Sequence, residues 1–167
     1  DKDTVTFYPT KSHLNLLDKT DVDFCFQNFN PTHVIHLAGK VGGVKGNTTY
    51  VSDFFCENME MNMNVLEASK NCAVKLLSVL STCVYPDAKY VKYPLTEEQL
   101  HLGPPHESNF GYAYAKRMLD VQSRAYRQQY GCNFITVIPN NLYGINDNFD
   151  LENGHVIPAL IRKIWEA

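Results

Sequence analysis

His33-Val34-Ile35-His36-Leu37-Ala38-Gly39 follows Pro31 and reads as a strand with almost no polar interruption. A half-exposed strand alternates apolar and polar residues, whereas a nearly continuous apolar run suits a strand inside a parallel sheet. Gly39 closes the run, and Gly42, Gly43 and Gly46 predict a loop beyond it. Upstream, Thr4–Tyr8 is rich in β-branched and aromatic residues and predicts a strand ended by Pro9. A helix is expected over Lys19–Phe29, with Val22, Cys25, Phe26 and Phe29 on its buried side. Downstream, Asp53–Cys72 is the longest helical pattern, with Phe55, Met59, Met63 and Leu66 forming one stripe of core packing. Lys75–Leu80 is the next strand and places Ser81 at its carboxyl end. A helix over Tyr112–Tyr130 ends at Gly131, a strand covers Asn133–Ile138, and a last helix spans His155–Ala167 with Ile157, Leu160, Ile161 and Ile164 inward. Strands alternating with helices in this way predict an α/β fold built on a doubly wound parallel sheet.

In such sheets ligands bind outside the carboxyl ends of the strands. The Ala38–Gly43 loop, Ser81 and the Pro139–Leu142 stretch all follow strands, so they are expected on one edge. The segment from Ser81 to the next helix runs nearly thirty residues with Pro86, Pro94, Pro104 and Pro105, a length that marks a functional loop rather than a connector. The helix after it opens Tyr112-Ala113-Tyr114-Ala115-Lys116. Residues four apart share a helical face, so a phenol and an ammonium meet there, and the cation is expected to lower the phenol pKa toward neutral acid–base work. Chance supplies roughly one tyrosine–lysine pair at this spacing in a chain of this composition. A second one exists, Tyr85 with Lys89, but Pro86 places it in a loop.

The totals exclude several classes. At 167 residues the chain is one domain's worth, 44% apolar and 20% charged, with a net charge of −3. No basic face is available for nucleic acid, and no apolar run is long enough to span a membrane. Five cysteines, an odd number without a close pair, indicate neither a disulfide framework nor a metal site and fit a reducing cytoplasm. Asn47-Thr48-Thr49 spells a glycosylation acceptor, read as coincidence without a secretion signal.

Taken together, Leu14-Asn15-Leu16-Leu17-Asp18, Lys40-Val41-Gly42-Gly43, Ser81-Thr82-Cys83, Tyr112 with Lys116, Pro139-Asn140-Asn141-Leu142-Tyr143-Gly144 and His155-Val156-Ile157-Pro158 resemble the extended short-chain dehydrogenase/reductase family. The resemblance implies a Rossmann-like domain, of which 1–167 would be the central part, and NADP(H) as cofactor. It is strongest for members that epimerise C3 and C5 of GDP-4-keto-6-deoxy-mannose and then reduce C4, giving GDP-L-fucose. On that likeness Tyr112 donates the proton to the C4 oxygen, Ser81 hydrogen-bonds the same oxygen, and Lys116 binds the nicotinamide ribose. Cys83 and His155 are implied as the base and acid of epimerisation. Ala38, Gly39, Val79, Leu80, Ser81, Thr82, Pro139, Asn140, Asn141, Leu142 and His155 would line the cofactor, Lys11 would meet its 2′-phosphate, and Lys163 would contact the nucleotide sugar. Lys40 is a further residue that could face either. A homodimer through the 53–72 and 112–130 helices is also implied.

The family pattern also calls for a glycine-rich phosphate-binding turn upstream and a substrate lobe downstream. Neither is in these 167 residues, which read as a piece of a longer protein. Two other readings therefore stay open. One is a different nucleotide-sugar epimerase or dehydratase of the same family; the other is an inactive fragment or binding module.

Overall fold

The computed structural model describes residues 5–72, 74–151 and 154–167. Its elements run α1 (Lys19–Phe29), β1 (His33–His36), α2 (Val44–Thr49), α3 (Val51–Asn71), β2 (Lys75–Val79), α4 (Phe110–Tyr130), β3 (Phe134–Val137) and α5 (Val156–Glu166). The three strands form one parallel sheet in the order β1-β2-β3, with Val34 beside Leu76 and Leu76 beside Phe134. Moving one way along a sheet by right-handed crossovers puts every connecting helix on the same face. Accordingly α3 and α4 pack against each other, and Val22 and Phe26 of α1, Val65 and Leu66 of α3, Leu76, Leu119 and Phe134 form the main core. The opposite sheet face leaves Ile35, Leu37, Ile135 and Val137 exposed. The apolar run of β1 is thus explained by a sheet built for cover on both faces, of which the described residues cover one.

Several expectations are corrected. Residues 5–9 form no strand, and Thr4 lies outside the described residues. β-branched composition yields a strand only where a neighbour completes the ladder; here Phe7 instead stacks on Phe29 at 5.1 Å. Phe29 is therefore on the surface rather than in the core. The glycine-rich stretch after β1 is not all loop, because Val44–Thr49 closes into α2. Asn47 is buried there and its amide donates to the Gly42 and Gly43 carbonyls, which uses the group a glycan would need.

The stripe on α3 holds at Leu66, which is buried, but is off by one residue, about 100° of helix, at Phe55 and Met63. Phe55 and Met63 are exposed, whereas Phe54, Asn58, Asn62, Val65 and Ser69 face inward. Periodicity counts asparagine as polar and so selects the wrong face. Burial is tolerable because the amides are hydrogen-bonded. Asn58 accepts from the Lys40 N–H at 2.9 Å and donates to the Lys40 carbonyl at 3.0 Å, and Asn64 donates to the Leu16 carbonyl. These amides fasten the loop after β1 and the segment before α1 to α3. On α5 the expected inward face is open, with Ile157, Leu160, Ile161 and Ile164 exposed and only Pro158 and Ala159 buried. α4 begins at Phe110, two residues before Tyr112, and Gly131 ends it with φ of 67°, the left-handed region that glycine adopts without a Cβ penalty.

His36 shows how tightly this face is closed. Its ring is 3% exposed and its Nε2 lies 3.0 Å from Asn62 Oδ1. Asn62 donates its own NH2 to the Ala115 carbonyl, so Oδ1 is an acceptor and Nε2 carries the proton. Burial, partly offset by the Asn62 bond and reinforced by the Lys116 charge, lowers the His36 pKa to about 4. The folded state therefore resists protonation while the unfolded chain accepts a proton from about pH 6.5 downward. Stability from this group is intact above pH 6.5 and is lost as pH falls to 4, by about 3 kcal/mol. Denaturation of the full-length protein and a His36→Gln variant at pH 7 and pH 4 should show the larger acid loss in the parent. Equal losses would remove His36 from the acid response.

Candidate active site

Continuing the strand register past the last pairs, His36 with Ser78 and Val79 with Val137, puts Ala38 beside Leu80 and Ser81 beside Pro139. The three expected segments do share the carboxyl edge. Ser81 caps a 3-10 turn over Thr82–Val84, where its Oγ accepts from the Cys83 N–H at 3.3 Å. That turn carries Cys83 back toward α4. Tyr112, on the first turn of α4, lies close enough to Ser81 and Cys83 for both to act on its pKa. Ser81, Cys83 and Tyr112 are thus brought together from a strand end, a tight turn and a helix start.

The electrostatics differ from the expectation. Burial pushes Tyr112 up to about 12, the Cys83 charge adds to this, and the Ser81 bond only partly opposes it. Lys116 does not act on the phenol. It is 3% exposed, and its Nζ donates to the Ala38 carbonyl at 3.3 Å and the Val79 carbonyl at 3.2 Å. Burial lowers its own pKa to about 8. The helical spacing is right, but the two neighbouring strand ends offer carbonyls that an ammonium prefers to a phenol. An ammonium has three donors, and two are used here, so one remains for a ligand hydroxyl. Tyr85 and Lys89 do not pair, since Lys89 lies over the Tyr90 ring.

Gly39 marks where a ligand backbone or ribose can come close. A Cβ there would sit 3.1 Å from both Lys116 Nζ and Asn58 Oδ1, so any side chain would press on the lysine. This open cradle beside a partly used ammonium fits a dinucleotide ribose. Thr82 Oγ1 donates to Asn141 Oδ1 at 3.4 Å, joining the β2 turn to the loop after β3, where Asn140, Asn141 and Leu142 are exposed. His155 is exposed at the start of α5, and no described hydrogen bond ties its ring to Cys83. Lys11 and Lys163 lie on the surface, away from any described site contact. Lys40 is engaged by Glu57, with its ammonium 5.8 Å from the Phe54 ring centre.

Asn58, Asn62 and Arg117 join the site without having been singled out by sequence. Asn58 and Asn62 stand four apart on α3, on the same face as Phe54, Val65 and Leu66, and that spacing is the signal that was available. Among the described residues no group of three or more histidine, cysteine or acidic side chains could hold a metal, and no helix is long and apolar enough to cross a membrane.

Comparison with known proteins identifies the family. The model of the "NAD dependent epimerase/dehydratase family" matches residues 3–167. A GDP-L-fucose synthase of Dictyostelium discoideum is 49% identical over 164 residues, 98% of this chain and 51% of that protein. A probable GDP-L-fucose synthase of Drosophila melanogaster is 42% identical over 99% of this chain and 51% of its own length. The crystal structure of a GDP-L-fucose synthetase from Naegleria fowleri bound to NADP superposes with a TM-score of 0.86 at 44% identity, covering 96% of this chain and 49% of that one. The chain spans about half the length of the relatives it matches. The match over residues 3–167, together with the parallel sheet, places the chain in the NAD dependent epimerase/dehydratase family.

Proposed function

We propose that residues 1–167 are part of a Rossmann-like NADP(H)-binding domain, and that the whole protein epimerises C3 and C5 of GDP-4-keto-6-deoxy-mannose and reduces C4 to give GDP-L-fucose. The observation that carries this reading is the convergence of Ser81, Cys83 and Tyr112 at the carboxyl edge of the sheet. One reaction needs all three kinds of group. A proton beside a ketone is acidic, so a thiolate at Cys83 can remove it from C3 or C5 while an acid, assigned to His155, returns one from the other face. Ser81 and Tyr112 polarise the C4 oxygen, and Tyr112 gives it a proton as the carbonyl becomes an alcohol. NADPH, when bound, supplies the hydride. Lys116 would orient its ribose through the remaining N–H, with Ala38, Gly39, Val79, Leu80, Thr82 and Pro139–Leu142 around it. Lys11 is assigned to the 2′-phosphate and Lys163 to the nucleotide sugar.

The test is turnover of GDP-4-keto-6-deoxy-mannose by the full-length protein with NADPH in D2O. GDP-L-fucose with deuterium at C3 and C5 is expected. Reduction without that deuterium would make the protein a simple 4-reductase, and no turnover would reject the assignment. The free cysteines fit a cytoplasmic protein.

The outer side of the α3–α4 pair is assigned to a homodimer contact. Phe55, Phe110, Tyr114 and Met118 line an apolar groove there, and Met63 and Val121 extend the exposed apolar surface. Patches of this kind mark interaction sites. Light scattering of the full-length protein should give a dimer that Phe55→Glu with Met118→Glu splits, and a monomeric parent would remove the contact.

A further inference from the structure

Arg117 follows Lys116 in α4 and is 4% exposed, yet among the described residues no carboxylate pairs with it. Its guanidinium spends its donors on two backbone carbonyls. Nε and Nη2 both reach the Val84 carbonyl, at 2.9 and 2.5 Å, and Nη1 reaches the Gly103 carbonyl at 2.8 Å. These carbonyls bracket the 85–102 part of the long proline-bearing loop. Val84 is the last residue of the turn that holds Cys83, and Gly103 is where the loop comes back within reach of the Arg117 side chain. The Asp87 N–H, donating to the Pro104 carbonyl at 2.9 Å, closes the same neck. Gly103 has no room for a side chain, since a Cβ would lie 2.7 Å from the Tyr90 ring.

We propose that Arg117 is a positioning residue for Cys83: it clamps both ends of the 85–103 loop to α4 and so fixes the Cys83 turn against Tyr112. A buried cation is costly unless its donors are satisfied, and a planar fork serving two carbonyls at set angles is a task that a point-charge ammonium performs poorly. Ser81 depends less on the clamp because it extends β2, whose end is held by the Leu80 N–H bond to the Val137 carbonyl. Tyr112 and Lys116 are held by α4 itself. The clamp therefore acts on the thiol selectively. The epimerisation part of this inference rests on the function proposed above, but the clamp does not.

The experiment compares the full-length protein with Arg117→Met and Arg117→Lys. Alkylation by iodoacetamide is followed at each cysteine by peptide mass spectrometry, and C3/C5 deuterium exchange and NADPH affinity are measured alongside. Cys25, Cys56, Cys72 and Cys132 serve as internal controls, because general loosening would speed all five thiols. Arg117→Met should alkylate Cys83 about tenfold faster than the parent and lower deuterium exchange about tenfold. Arg117→Lys should fall between, with the control thiols and NADPH affinity within about twofold. Cys83 alkylation within about twofold of the parent in folded variants would overturn the clamp, as would equal acceleration at all five thiols. Should Arg117→Met not fold, Arg117→Lys decides alone, with at least about threefold faster alkylation at Cys83 required. Alkylation needs neither substrate nor cofactor, so a parent that fails to turn over the GDP-sugar would reject the proposed function and still leave the clamp to be judged.

Discussion

Tyr112→Phe in the full-length protein is expected to lower ketone reduction by about 10³-fold while NADPH affinity stays within about twofold. The change removes one oxygen from a half-buried ring and leaves the packing of α4 intact. The size of the effect follows from the protonation state. Reduction needs an acid at the C4 oxygen, and a phenol pushed up to about 12 is fully protonated at pH 7. The shift that removes a phenolate base from neutral pH therefore suits the reductive direction. Ser81 lies beside the phenol and acts on its pKa, so both hydroxyls are placed to polarise one oxygen. Ser81→Ala should cost less, about 10²-fold, because it removes a hydrogen bond and leaves the proton donor. Lys116 loses its charge as pH rises through about 8, so NADPH affinity is expected to weaken there. A Tyr112→Phe variant keeping more than about a tenth of the activity would remove the tyrosine from its role.

How much of this was legible in the sequence depended on the length of the signal. The β1 run and the strand–helix alternation specify a parallel sheet, because burial in such a sheet requires apolar residues at nearly every position. Ser81 at a strand end and Tyr112 at a helix start could be placed on one edge from topology alone. What failed were statements about which face of an element turns inward. On α3 the inward face carries Asn58 and Asn62, whose burial depends on carbonyl and imidazole partners 18 to 53 residues away in sequence. No local pattern contains those partners. Lys116 failed for the same reason: helical spacing brings it to Tyr112, but the Ala38 and Val79 carbonyls that hold it come from two strands. The α5 stripe belongs with these failures: its apolar residues, expected inward, lie on an open face, with Trp165 88% exposed.

Cys83→Ser should separate the two halves of the reaction, lowering C3/C5 deuterium exchange by about 10³-fold with little effect on cofactor binding. A serine hydroxyl is nearly isosteric but far less acidic than a thiol, so at neutral pH it offers almost no base. The structural cost is small for a specific reason. Ser81 Oγ accepts from the backbone N–H of residue 83, not from its side chain, so the 3-10 turn and the Ser81–Tyr112 contact survive the change. The Cys83 charge is one of the causes that raise the Tyr112 pKa, and its removal lets the phenol relax downward from about 12, still well above neutrality. Tyr112 therefore stays an acid at pH 7. Given the already epimerised 4-keto sugar, Cys83→Ser should then reduce it within about threefold of the parent rate, whereas Tyr112→Phe should not. Equal losses in both assays would mean that Cys83 serves the reduction, or the shape of the site, and that the base for epimerisation lies elsewhere.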